Sequence, residues 1–350
     1  MSNADNLSST GIALIGAGMI AKTHVAALSA SRPCVRLEAI VSRRPERAQY
    51  LAEYYAGPAP LFTSELSSVT ENPGIQVVIV ATPPSVRIEL IETLARAGKH
   101  ILLEKPVART LDEATQVVDI CERAGVTLGV LFQHRMRAPS MAAARRLADG
   151  ALGKAGHIEI AVPLWRPQSY YDELGRGTYE RDGGGVLLTQ AIHTIDLALS
   201  MTGPVTRVQA MTATTPLHTM EAEDLAVSGL HFSSGAVGSL VASTATFPHG
   251  RESITLHCEH GSMRIGADAL EIFWRDGRFD REASTPPVTI EQGPVVVKHE
   301  WHQGIIDDFI EAVQQGRAPL VSGRAALAAH RLIAAIESSS RSGAAIELTT

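Results

Sequence analysis

A chain of 350 residues with 45% apolar content has enough material for two cored domains. Its formal net charge of −6, without any basic block, argues against nucleic acid and anionic membrane as partners, and no apolar run is long enough to span a bilayer. Cys34, Cys121 and Cys258 are far apart and odd in number, so they offer neither a disulfide framework nor metal-type spacing; a reducing cytoplasmic setting and no metal cofactor are expected.

The polar start, MSNADNLSSTG, lacks the apolar segment of a signal peptide and is expected to be a flexible tail over 1–10. From 11 to 18 a buried strand runs into a glycine turn, and IAKTHVAALSA follows with helical spacing. Strands are expected at 36–42, 75–82, 100–105 and 126–133, and helices at 44–55, 85–98 and 110–125. Continuous apolar strands alternating with helices indicate a parallel sheet covered on both faces, with ligands beyond the carboxyl ends of its strands. The pattern changes after residue 133. A helix at 140–153 and a strand at 156–165 precede a Tyr-, Arg- and Gly-rich loop over 166–185, and a buried helix follows at 185–203. VTRVQAMTA, LAVSGLHF, AVGSLVAST, SITLHCEHG and ALEIFWRDG read as short strands of a largely antiparallel sheet. Two helices and an edge strand, AAIELT, close the chain, and 275–298 is irregular. The expected fold is α/β: a Rossmann domain over 11–133 and an α/β domain with an open, mostly antiparallel sheet over 134–350.

Gly16-Ala17-Gly18-Met19-Ile20-Ala21 fits G-x-G-x-x-G/A between a strand and a helix. Gly16 allows the tight turn, and Gly18 lets backbone approach a pyrophosphate at the helix N-terminus; Met19 and Ile20 complete the cradle. The second strand ends in Ser42-Arg43-Arg44 where an acidic ribose ligand is usual, and Glu38 comes four residues too early for that role. Arginine would bind a 2′-phosphate, so NADP(H) is favoured and NAD(H) remains open; the plainer reading is a solvated helix start. Thr82 and Pro83, at the end of the 75–82 strand, are further candidate cofactor contacts. HILLEKPVART sets Glu104 and Lys105 at another strand tip, where both are candidates too. On the 185–203 helix, Thr189, His193 and Asp196 share one face by i, i+3, i+4 spacing, with Gln190 beside them. His193 is either an acid/base group or a core histidine capped by Asp196. Tyr170, Tyr171 and Arg176 form a candidate lid or substrate wall, with Arg176 also a cofactor candidate and Arg135 a weaker pocket candidate.

The glycine turn with His24 behind it, ATPPS at 81–85, AGKHILLEKPVA at 97–108, DGGGVLLTQAIHTIDLAL at 182–199 and the C-terminal HQGIIDDFIEAVQQGRAPLVSGRAALAAHRLIAAIESS occur together in this order. Over nearly its whole length the chain resembles the Gfo/Idh/MocA oxidoreductases. The resemblance implies hydride transfer between nicotinamide and a secondary alcohol of a sugar, cyclitol or related polyol. It implies that Lys105 lies near the reacting hydroxyl and that His193 is a second acid/base. Partial burial of Lys105 would favour its neutral amine and let it share the hydroxyl proton. Three positions depart from the family pattern: Thr189 replaces a common Asp, Gly175 a common Trp, and Arg87 a common His. The first makes inositol a less expected substrate. Rival readings are an aromatic dihydrodiol dehydrogenase and a non-catalytic dinucleotide sensor, and retention of Lys105 and His193 speaks against the sensor. A homodimer or homotetramer paired through an open sheet face is expected, as is a cis Lys105–Pro106 bond.

Overall fold

Six buried residues, TGIALI, open the first sheet as β1 (Thr10–Ile15). In this computed structural model, which describes residues 9–283 and 299–349, α1 (Ala21–Ser29), β2 (Val35–Val41), β3 (Leu61–Thr63), α2 (Ser67–Thr70) and β4 (Val77–Val80) follow. Next come α3 (Arg87–Arg96), β5 (His100–Leu103), α4 (Leu111–Arg123) and β6 (Leu128–Val130). All pairs in this six-stranded sheet are parallel, in the order β3-β2-β1-β4-β5-β6. Chain order reverses at β1, whose neighbours are β2 and β4, which is where an open parallel sheet forms a ligand crevice. The Lys105–Pro106 peptide is cis, as expected.

The second sheet follows α5 (Ala138–Ala148). Its first strand is β7 (Ala155–Pro163), followed by the single turn α6 (Gln168–Tyr171) and by α7 (Ile192–Thr202). Then come β8 (Val205–Ala213), β9 (Leu225–Phe232), β10 (Val237–Ser243), β11 (Ser253–Cys258), β12 (Gly261–Gly266), β13 (Ala269–Trp274) and β14 (Phe279–Ala283). The chain closes with α8 (Glu300–Gln315), α9 (Gly323–Ser342) and β15 (Ile346–Glu347). The nine strands run β14-β13-β12-β11-β7-β10-β9-β8-β15, antiparallel except for β7 with β10. Helices α5 and α7 pack on this sheet. On β7, Ile158, Ile160 and Val162 are buried while His157 and Glu159 are exposed. On β9, Ala226, Ser228, Leu230 and Phe232 are buried while Val227, Gly229 and His231 are exposed. Strict alternation of this kind marks one covered face and one open face.

The chain falls into two compact units. The first comprises the described residues of Met1–Ala108, Asp112–Gln133 and Gly293–Ala326, and the second those of Arg109–Leu111, His134–Gln292 and Leu327–Thr350. Residues 299–326, expected within the second domain, thus belong with the parallel sheet. Side-chain pairing explains this: Asp307 on α8 accepts from Ser31 Oγ at 2.6 Å and Arg32 Nε at 3.2 Å, and Val130 N–H donates to Val321 O at 3.0 Å. Three other expectations differ. Residues 44–55 form two 3₁₀ stretches, Pro45–Arg47 and Gln49–Tyr54, because only Ala48 and Leu51 are buried there, too thin an apolar stripe for an α-helix. Of the expected tail, Thr10 starts β1, and residues 1–8 lie outside the described residues. Within the stretch read as irregular, 279–283 form β14 against β13, and 284–298 lie outside the described residues.

Candidate active site

In the first unit, the carboxyl ends of β1, β4 and β5 gather the glycine turn, Thr82 and Lys105. Gly16 has a φ of 107°, and a Cβ there would come within 2.8 Å of the Ala81 carbonyl, so glycine is required. A Cβ on Gly18 would meet nothing within 4 Å, which leaves backbone open for close approach by a diphosphate. Met19 is 57% exposed on the same turn, Ile20 is half-buried, and Ala21 is buried against the sheet. Thr82 Oγ1 is buried with no hydrogen-bond partner among the described residues, and Pro83 is exposed beside it. These features fit a dinucleotide. At the tip of β2, Ser42 Oγ accepts from Arg44 N–H at 3.2 Å. Arg43 and Arg44 are exposed and form no ion pair among the described residues. Glu38 pairs instead with Arg36 at 2.7 Å.

Beyond β5 the chain carries Glu104, buried, and Lys105, half-buried. Glu104 accepts from His24 Nε2 at 2.9 Å and from Lys105 N–H at 3.2 Å, and His302 Nε2 lies 3.9 Å away. Burial alone would raise this carboxyl; the His24 hydrogen bond and the surrounding positive charges outweigh it and hold the group at about 2. Burial, reinforced by His24, pushes the His302 imidazole down to about 4. Glu104, a candidate cofactor contact from sequence, is therefore engaged by its own unit.

Arg87 holds this segment in place. It is fully buried, and its guanidinium donates to the Thr82 carbonyl at 2.6 Å, the Glu104 carbonyl at 2.6 Å, the Val107 carbonyl at 3.3 Å and the Pro106 carbonyl. Burial lowers it to about 10, with Glu104 opposing. One planar fork thus ties the end of β4 to the backbone on both sides of Lys105. The sequence shows Arg87 only as a departure from a pattern, since its partners are backbone carbonyls remote along the chain. His302 leaves no comparable signal: it stands at the start of α8, far from the motif it reaches.

In the second unit, His193 is buried on α7 and its ring stacks on His134, with centroids 4.5 Å apart at 24°. A wide π-turn, Leu187–Ala191, precedes α7. The i, i+4 relation expected between Thr189 and His193 crosses that turn, so α-helical spacing does not describe it. Thr189 Oγ1 donates to Gly185 O at 2.6 Å and also contacts Gln190 Oε1, and Gln190 Nε2 reaches the Tyr170 hydroxyl at 3.5 Å. Asp196 does not cap His193 as the plainer sequence reading had it. Both its oxygens accept from Arg135, each at 2.7 Å, and this fork opposes the rise that burial imposes on the carboxyl. Arg135 is thereby bound to the helix that carries His193.

Arg176 lies over the Tyr170 ring, 5.0 Å from its centroid, and pairs with Glu173 at 3.2 Å. Tyr171 turns inward: its hydroxyl meets Thr244 Oγ1 at 2.6 Å, and burial pushes it up to about 12. Glu223, unmarked in the sequence, caps the start of the His193 helix, its carboxylate accepting from Gly185 N–H and Leu187 N–H at 3.0 Å each. A Cβ on Gly185 would lie 1.8 Å from the Glu223 carbonyl oxygen, so this contact also requires glycine.

Two family sequence models match the chain: the oxidoreductase family with an NAD-binding Rossmann fold over residues 10–132, and the GFO/IDH/MocA C-terminal domain over 140–264. D-apiose dehydrogenase of Paraburkholderia graminis is 29% identical, over 96% of this chain and 89% of that protein. Levoglucosan dehydrogenase of Pseudarthrobacter phenanthrenivorans is 26% identical, over 84% and 82%. Among solved structures, the WlbA dehydrogenase from Bordetella pertussis, in complex with NADH and UDP-GlcNAcA, superposes with a TM-score of 0.81 at 30% identity, covering 98% of this chain and 99% of that one. No described helix is long and apolar enough to cross a membrane. With a glycine turn built for a dinucleotide, a lysine at the tip of β5 and models of one family matching both halves, the chain belongs to the GFO/IDH/MocA oxidoreductases and carries their NAD-binding Rossmann domain.

Proposed function

We propose that the protein oxidises a secondary alcohol of a sugar or related polyol, or reduces the corresponding ketone, with NADP(H) preferred over NAD(H). The observation that carries this reading is Lys105, fastened at the carboxyl edge of the parallel sheet by the Arg87 fork, on the edge that also bears the Gly16–Gly18 turn. The relatives named above, dehydrogenases of D-apiose and levoglucosan and one seen with a nucleotide sugar, support a carbohydrate substrate. The nicotinamide, when bound, supplies or accepts the hydride. Lys105 donates a hydrogen bond to the reacting oxygen, and His193 takes the hydroxyl proton in oxidation and returns it in reduction. Gly16, Gly18, Met19, Ile20, Thr82 and Pro83 hold the dinucleotide. Thr189, Gln190, Tyr170 and Arg176 contact substrate, while Asp196 and Tyr171 act from behind them. The NADP preference rests on Arg43 and Arg44, exposed at the tip of β2, where Ser42 stands in place of the usual acidic residue. An absorbance assay over aldoses, anhydrosugars and cyclitols with both cofactors tests the reading. Turnover with at least one carbohydrate, faster with NADP, is expected; tight cofactor binding with no turnover on any member of the panel would instead indicate a sensor.

The open face of the second sheet supports a homo-oligomer. Met211, Val227, Val241 and Ala161 lie in register as an apolar row across β8, β9, β10 and β7, with Met211 56%, Val227 40% and Val241 43% exposed. A second copy of the chain presents the same row and covers it by symmetry.

A further inference from the structure

The open face of the second sheet also carries a cluster unrelated to hydride transfer. His157 and Glu159 stand two residues apart on β7 and so point to the same side. His257 on β11 sits directly opposite His157 in the antiparallel register. The two imidazoles stack, centroids 5.1 Å apart at 12°, and His257 Nε2 lies 3.8 Å from Glu159 Oε1. One ligand atom from each of the three residues falls within 4.8 Å of the other two.

The cluster has a second layer. Ser262 Oγ, on the neighbouring β12, lies 2.8 Å from His257 Nδ1. With the hydroxyl accepting from Nδ1–H, Nε2 keeps a lone pair toward Glu159, which is how metal-binding histidines are commonly oriented. Two borderline imidazole nitrogens and one carboxylate oxygen make up the donor set. They suit zinc-class dications and leave magnesium and calcium, which want more oxygens, poorly served. Ligand bonds of about 2.0–2.2 Å require the three atoms to draw together by on the order of 1 Å. In the single chain His157 and Glu159 are exposed and His257 is half-buried, and their side chains can close that gap by torsion.

We propose that His157, Glu159 and His257 bind a first-row transition dication of the zinc class, with a fourth coordination position open. The ion clamps β7 to β11, two strands whose opposite faces support α7. Its effect is on the stability of the second unit, because binding to the folded chain alone raises the melting temperature.

Full-length protein without an affinity tag, dialysed against chelator, is titrated with Zn²⁺ by calorimetry, and Mg²⁺ serves as the control. One Zn²⁺ per chain, a higher melting temperature with Zn²⁺ and no response to Mg²⁺ are expected. His157→Ala and His257→Ala should abolish the stoichiometric binding, and Glu159→Gln should weaken it by at least about tenfold, while metal-free melting curves report that each variant is folded. Turnover on an accepted carbohydrate should be the same in all of them, so this test stands apart from the proposed reaction. Zn²⁺ binding no greater than that of a His157→Ala/His257→Ala double variant would overturn the proposal, as would full binding by the folded single variants.

Discussion

At the scale of the residue, the proposed chemistry rests on Lys105, and Arg87 holds the backbone on both sides of it. Lys105→Met keeps bulk and removes charge and donors, so turnover should fall by roughly 10²–10⁴-fold while the cofactor dissociation constant stays within a few-fold. Steady-state kinetics and fluorescence titration check this. Arg87→Ala strips the donors from the carbonyls of Thr82, Glu104, Pro106 and Val107 in a buried setting. It should lower stability by about 1–3 kcal/mol and depress turnover together with it, as read by urea unfolding and kcat. Lysine cannot reproduce a planar fork, so Arg87→Lys should restore little. Arg43→Ala should raise the dissociation constant for NADP and leave that for NAD nearly unchanged. An unmodified protein that binds NAD the more tightly would contradict the cofactor assignment.

At the scale of the element, much was legible and the exceptions have physical causes. Continuous apolar runs announced β1, β4 and β5, and alternation announced β9 nearly residue for residue. β3 escaped because three partly exposed residues carry too little pattern, and β14 because it is mainly polar. The π-turn at 187–191 is invisible to a periodicity of 3.6. The motif and the helix pattern make Lys105 and His193 candidates, but the sequence could not show that Asp196 belongs to Arg135, or that Glu223 caps the helix. The buried groups also set a pH response. His302, lowered to about 4 from 6.5, is neutral in the folded protein, so its contribution to stability is lost as pH falls from about 6.5 toward 4. Glu104, held at about 2 against 4.5, loses its contribution as pH falls from about 4.5 toward 2. Glu337, raised to about 7 from 4.5 by burial first and then by the Glu223 charge, acts in the opposite sense. Its stabilisation is full below about 4.5 and is lost as pH rises through 7. Melting temperature should therefore decline on both sides of a mildly acidic optimum. Over about 4.5–6.5 the His302 and Glu337 contributions oppose each other, so the optimum should be broad; His302→Phe should leave melting temperature falling with pH from about 4.5 to 7, and Glu337→Gln should leave it rising from about 4.5 to 6.5. Unchanged limbs in both variants would refute these assignments.

At the scale of the whole molecule, one unit is built to bind a dinucleotide and the other has one open sheet face. Val241→Glu puts a carboxylate into the apolar row of that face and should shift the assembly toward single chains in light scattering; an unmodified protein with the mass of one chain would remove the oligomer from the account. The central claim is catalysis of hydride exchange with a carbohydrate through Lys105. It is tested most directly by following nicotinamide absorbance in parallel for the unmodified protein and Lys105→Met, each with NADP and the most active carbohydrate from the panel. Steady turnover is expected for the first and a loss of at least about 10²-fold for the second, at equal cofactor saturation. Near-normal turnover by Lys105→Met would contradict it.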